Sequence, residues 1–264
     1  MRTPLADIDL SRTALLVIDM QRDFCEPGGY ADSAGLDVAR LAVPMGHVKA
    51  LPDAARQAHL LIVHTREGHR PDLSDCPPAK LMRSMEAGAP IGSQGPLGRL
   101  LIRGEAGHDF VPMLQPMPGE VVIDKPGYGA FHQTDLAQVL ANRDIRHLLI
   151  CGVTTEVCVH STLREAVDLG FNCFTVGDAC AASNPELQAP ALAMIAVEGG
   201  IFGRLVETAE VVARLLRARY YPEGAGFGAP DMREEHRIPN HLARLGLTPA
   251  DVDVIFIGHL HFDH

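Results

Sequence analysis

The sequence predicts a parallel α/β sheet covered by helices on both faces. Short apolar runs recur along the chain, and they are continuous rather than alternating, as in strands buried on both sides. Segments with helical spacing separate them, and strand–helix alternation indicates parallel connections. Several runs close on a charged or reactive side chain, where open parallel sheets place their ligands.

The elements follow in order. Ala14–Ile18 (ALLVI) is the first run and ends at Asp19. The turn-rich MQRDFCEPGGYADSAG after it reads as a loop. Residues 38–56 carry apolar positions near helical spacing, with Pro44 and Pro52 as breaks or helix starts. His59–Val63 (HLLIV) is the second run. Residues 65–107 are rich in Gly, Pro and Arg and aperiodic, and a loop of that length is expected to be functional or a lid. Glu120–Ile123 (EVVI) leads into Asp124-Lys125-Pro126-Gly127, and residues 134–140 suit a short helix. His147–Cys151 (HLLIC) is the fourth run, closed by Gly152. Thr154 and Thr155 are N-cap candidates, Val157, Leu163, Ala166 and Val167 keep helical spacing, and Gly170 stops the helix. Cys173–Val176 is the fifth run. Residues 186–198 read as a helix broken by Gly199-Gly200, and residues 207–216 as the last one.

Composition narrows the function. The formal charge is −10 with no dense Lys/Arg block, which argues against nucleic acid and anionic membrane surfaces as partners. The first apolar run is closed by Asp19 with no small-residue cleavage site after it, so it reads as a strand and not a signal peptide, and no run approaches transmembrane length. Cys25, Cys76, Cys151, Cys158, Cys173 and Cys180 form no C-x-x-C pair and are expected as reduced thiols in a cytoplasm.

Cys158 falls in the first turn of a helix that follows a buried strand. There the helix dipole and unpaired N–H groups are expected to lower its pKa, making it a fast-alkylating thiol. The bland reading is a small buried hydrophobe. Asp19 and Lys125 follow the ends of two other runs, although alone each reads as a turn or strand-end charge. The chain has only three lysines against twenty arginines, and one falls here. Three such groups at the same end of three strands point to nucleophilic catalysis. Asp19 would take the thiol proton and later protonate the leaving nitrogen, while Lys125 favours the thiolate and keeps the carboxylate ionised. Backbone N–H groups of Thr154 and Cys158 would form the oxyanion hole, and water would hydrolyse the thioester.

LLVIDMQRDF (15–24), VVIDKPGYGAF (121–131) and CGVTTEVCV (151–159) resemble the isochorismatase-like cysteine hydrolases over about residues 8–217. The resemblance implies a six-stranded parallel sheet flanked by helices on both faces. It also implies an Asp19–Lys125–Cys158 triad, a cis Val153–Thr154 peptide, no cofactor and a homo-oligomer, dimer or tetramer. HTREGHRPDLSD (64–75), GRLLIRGEAGHD (98–109), IDKPGYGAF (123–131) and EGGIFG (198–203) are most similar to the biuret amidohydrolases, with ureidoacrylate amidohydrolases next. This implies that a small ureide or amide loses ammonia, biuret giving allophanate. Phe24, Arg66, Glu67, Val153, Thr154 and Glu198 are the expected substrate contacts, although Arg66, Glu67 and His69 also read as a solvated, salt-bridged loop. Glu198 departs from the pattern, in which Gln stands. A carboxylate there accepts urea N–H groups but donates nothing unless protonated. Nicotinamidase relatives bind a metal through Asp-x-His; Val63-His64-Thr65 lacks that Asp, so no metal is expected from His64 or His69. Gly127 and Gly129 form no phosphate loop.

After Arg217 the chain changes character. Residues 218–238 read as a linker. Residues 239–264 end in His259-Leu260-His261-Phe262-Asp263-His264 after an apolar strand. That run resembles the first metal motif of the metallo-β-lactamase fold, with His259, His261, Asp263 and His264 as ligands. The other ligands are absent from it, so this segment is read as a truncated domain, and a zinc-dependent hydrolase carried by the tail is the rival reading.

Overall fold

Six parallel strands form one sheet in this computed structural model, which describes residues 4–220. The linker and the tail, including His259, His261, Asp263 and His264, lie outside the described residues. The strands are β1 Thr13–Ile18, β2 Leu61–Glu67, β3 Val121–Lys125, β4 His147–Val153, β5 Asn172–Ala181 and β6 Arg204–Val206. Their spatial order is β3-β2-β1-β4-β5-β6. The order reverses between β1 and β4, and a crevice opens there at the carboxyl ends of the strands.

Burial follows from the layers. Every residue of β1 and β4 is buried. Leu15 and Val17 face one core with Leu149, Cys151 and Phe174. Ala14, Leu16 and Ile18 face the other with Leu148 and Ile150. The helices α1 Met45–Gln57, α2 Pro78–Glu86, α3 Leu136–Ala141, α4 His160–Asp168, α5 Pro185–Ile195 and α6 Thr208–Tyr220 cover the sheet and its carboxyl end. Val48 and Leu51 of α1 join Val211 and Leu215 of α6 in the first core. Leu136 and Leu140 of α3, Leu163 and Ala166 of α4 and Ile195 of α5 fill the second. Among the described residues no helix is long and apolar enough to cross a membrane.

Several bounds differ from the sequence expectation. The second strand runs on through His64, Thr65, Arg66 and Glu67, because their polar side chains find partners on β3 and on the residues next to β1 and β3. Pro52 sits inside α1 rather than breaking it. The aperiodic stretch after residue 65 holds α2 and a small hairpin, Gln94–Gly95 with Gly98–Arg99, and so is a folded wall rather than a bare loop. The segment around Cys158 is one π-helical turn, Thr155–Val159, running into α4.

Gly152 has φ +116°, and a Cβ there would collide with the Ile18 carbonyl of the neighbouring strand. Backbone cannot yield as a side-chain tip can. Gly152→Ala should therefore cost about 3 kcal/mol, read as a lower urea midpoint with an unchanged m-value.

Candidate active site

Four neighbouring strands deliver the site. Asp19 follows β1, Glu67 ends β2, Lys125 ends β3, and Cys158 lies in the turn after β4. Glu67 and Lys125 are register partners across β2 and β3, as are Arg66 and Asp124. Strand alternation turns each pair to an opposite side. Thr65 and Glu67 face the Asp19 side, whereas Arg66 points away and holds Asp124 by two hydrogen bonds of 2.7 and 3.2 Å.

The Lys125 ammonium lies 2.8 Å from Asp19 Oδ2 and 3.5 Å from Glu67 Oε2. It also donates to the carbonyls of Gly127 and Tyr128. Asp19 Oδ1 accepts from the Thr65 hydroxyl at 2.6 Å, and the same Thr65 oxygen accepts from the Asp19 N–H. Asp19 holds a left-handed φ of +48°, a conformation that persists in non-glycine residues where surrounding contacts enforce it. The Cys158 thiol donates to Glu67 Oε2 at 3.3 Å, while Glu67 Oε1 lies 2.7 Å from the Lys80 ammonium. Lys80 comes from α2, donates to the Pro126 carbonyl at 2.6 Å and lies over the Tyr128 ring. Gln21 fixes Glu67 from behind: its side chain accepts the Glu67 N–H and donates to the Glu67 carbonyl. The Val153–Thr154 peptide is cis. Gln188 holds the same loop, accepting from the Thr155 hydroxyl and the Ala182 N–H.

Electrostatics assign the resting charges. Burial opposes the Lys125 ammonium, but the carboxylates of Asp19 and Glu67 outweigh it and hold its pKa high. Burial likewise pushes the Glu67 carboxyl up, and Lys80 with Lys125 more than reverses this, so Glu67 stays ionised. Asp19 is raised by burial against the pull of Lys125. Cys158 is pushed well above the ordinary thiol range by burial; Lys125 opposes this, and Asp19 and Glu67 reinforce it. The expectation of a lowered thiol pKa therefore fails. The helix dipole acts on a buried group with two carboxylates beside it.

A cleft of about 280 Å³ opens over Cys158. Phe24 and Thr154 line it along with Glu67, Lys80, Tyr128 and Ser183. Val153 is fully buried beneath it. Arg66 and the exposed Glu198 are not among its lining residues. His64 pairs with Glu120, and His69 with Asp75, away from Cys158. Among the described residues, Asp19, Glu67 and Cys158 are the donors close enough to share one ion, their atoms lying within 4.8 Å of one another. Lys125 already places a positive charge against two of them. Lys80 is the residue that sequence reasoning missed; its one signal is that the chain holds only three lysines.

Residues 13–210 match the isochorismatase domain family. The chain belongs to the isochorismatase family. A cysteine hydrolase from Pseudomonas syringae pv. phaseolicola 1448A is 31% identical, with a TM-score of 0.68 over 80% of this chain and 95% of that one. An isochorismatase family protein from Desulfovibrio vulgaris subsp. vulgaris str. Hildenborough is 27% identical, with a TM-score of 0.63 over 78% and 99%. The N-carbamoylsarcosine amidase of Thermoplasma acidophilum shares the fold at 20% identity and a TM-score of 0.57, over 75% and 96%. This isochorismatase-family hydrolase thus carries a thiol lining one small cleft, with a carboxyl of raised pKa and a buried ammonium close to it.

The thiol's environment sets an order of reactivity. With iodoacetamide at pH 7, the half-buried Cys76 should label ahead of Cys158. Labelling of Cys158 should then rise about tenfold for each added pH unit, as followed by peptide mass spectrometry.

Proposed function

We propose that the protein is a cysteine-dependent amidohydrolase that removes ammonia from a small ureide, biuret first and ureidoacrylate second. The observation that carries this reading is the Cys158 thiol buried beside Asp19, with Lys125 2.8 Å from Asp19. The cleft is small enough to suit a compact substrate.

In this reading Asp19 takes the thiol proton as sulfur attacks the carbonyl carbon. A raised carboxyl and a raised thiol are poorly matched at rest in opposite senses: the first is a better base than an ordinary carboxylate, and the second needs one. Lys125 balances the negative charge that then forms between them. The S–C bond forms, and the carbonyl oxygen becomes an oxyanion facing the N–H groups of Thr154 and Cys158. The C–N bond breaks as Asp19 returns the proton to the departing nitrogen, which leaves as ammonia. Water attacks the thioester and gives one proton to Asp19. The S–C bond breaks, the acid product leaves, and Cys158 regains its proton. Biuret plus water gives allophanate plus ammonia.

Cys158→Ala and Asp19→Asn should each lower ammonia release from biuret by about a thousandfold or more, with native circular dichroism retained. Activity of the unaltered chain should survive a metal chelator. Release that persists in Cys158→Ala, or that disappears with chelator, would overturn the reading.

A further inference from the structure

Glu67 lies outside the triad yet holds the nucleophile's hydrogen bond, and its two oxygens differ in kind. Oε1 is committed to Lys80 at 2.7 Å. Oε2 faces the Cys158 thiol at 3.3 Å, with Lys125 at 3.5 Å. The side chain is buried, Lys80 holds its Oε1, and Gln21 holds its backbone at both polar groups. The thiol is thus the hydrogen-bond donor to Oε2, and the reaction removes that donor. When the thiol proton passes to Asp19 and sulfur bonds to carbon, Oε2 loses its hydrogen-bond donor beside the reacting centre and keeps only the Lys125 charge at 3.5 Å. Losing a hydrogen bond to a buried charged acceptor is costly, more so than to a neutral one.

Asp19 and Glu67 flank the sulfur, with all three atoms within 4.8 Å of one another. The attacked carbon of a ureide carries two nitrogens. One must leave and needs the Asp19 proton. The other stays bonded to the carbon that sulfur has attacked. A plain carboxamide has a carbon in that second place and offers Oε2 no donor.

We propose that Glu67 accepts a hydrogen bond from the N–H retained on the attacked carbon, so that this site selects ureides over carboxamides. The proposal rests on the amidohydrolase reading and deepens it. Lys80 serves as a positioning residue, because it keeps Oε1 occupied and Oε2 turned to the sulfur. The same argument explains a carboxylate rather than an amide at residue 67. In Glu67→Gln the carbonyl oxygen would stay at Lys80 and the NH2 would face the substrate, converting an acceptor into a donor.

The test compares matched pairs in which one NH becomes CH2: biuret against malonamide, and N-carbamoylglycine against succinamate. Ammonia release by the full chain gives kcat/KM for each. The expected preference for the NH member is about a hundredfold or more in at least one pair. Glu67→Gln should narrow that ratio below about tenfold by losing rate on the NH member; Glu67→Asp, which withdraws the acceptor by one methylene, should narrow it as well should the first variant not fold. Equal rates within both pairs would overturn the inference and leave the amidohydrolase standing. A ratio preserved in both variants, with both substrates slowed in parallel, would make Glu67 structural and overturn it too. Ammonia from none of the four would overturn the inference together with the reading beneath it.

Discussion

Two carboxylates and two ammonium groups, buried at the carboxyl ends of β1, β2 and β3 and at α2, are the constraint on which this structure depends. Charges taken out of water are tolerated only when each is paired and hydrogen-bonded, and removing one partner leaves the other stranded. Here Lys125 spans Asp19 and Glu67, and Lys80 takes the oxygen of Glu67 that Lys125 leaves free. The set closes only in this strand order, because β3, β2 and β1 are consecutive neighbours. Thr65 and Gln21 hold the ends of β1 and β2 together, and the Lys80 contact fastens α2 onto the floor of the cleft. The sheet thus positions the charges, and the charges in turn fix the segment that walls the cleft.

That dependence explains which features were legible in the sequence. Asp19, Lys125 and the Cys158 turn each follow an apolar run, so burial marked the strand and the strand's end marked the residue. Glu67 also ends a strand, but the run before it reads His-Thr-Arg-Glu. Hydrophobic patterning stops at Val63, while the real strand continues on ion pairs and hydrogen bonds to its neighbours. Lys80 was hidden for a sharper reason. In α2 the buried residues are Lys80 and Ser84, while Met82 and Met85 are exposed. A helix that buries its lysine and shows its methionines inverts the pattern on which periodicity relies. The sixth strand, Arg204–Val206, buries only Val206 and leaves no run to detect. The thiol's pKa was misjudged because position along a helix speaks of dipoles, whereas burial and two nearby carboxylates decide the outcome.

A thiol held neutral at rest changes how the chemistry must be timed. An enzyme with a standing thiolate attacks whatever electrophile enters. This one has its sulfur proton engaged by Glu67 and its proposed base, Asp19, engaged by Lys125 and Thr65. Moving the proton to Asp19 costs least when something else satisfies Glu67 at that moment. On the proposed reading a substrate bearing a second N–H supplies that group, so the interaction that recognises it also lowers the barrier to forming the nucleophile. Binding energy is then realised where charge develops rather than in the ground state. On this argument selectivity and nucleophile activation are one event at Glu67. A substrate of similar size without the N–H would fill the cleft and still leave the sulfur protonated.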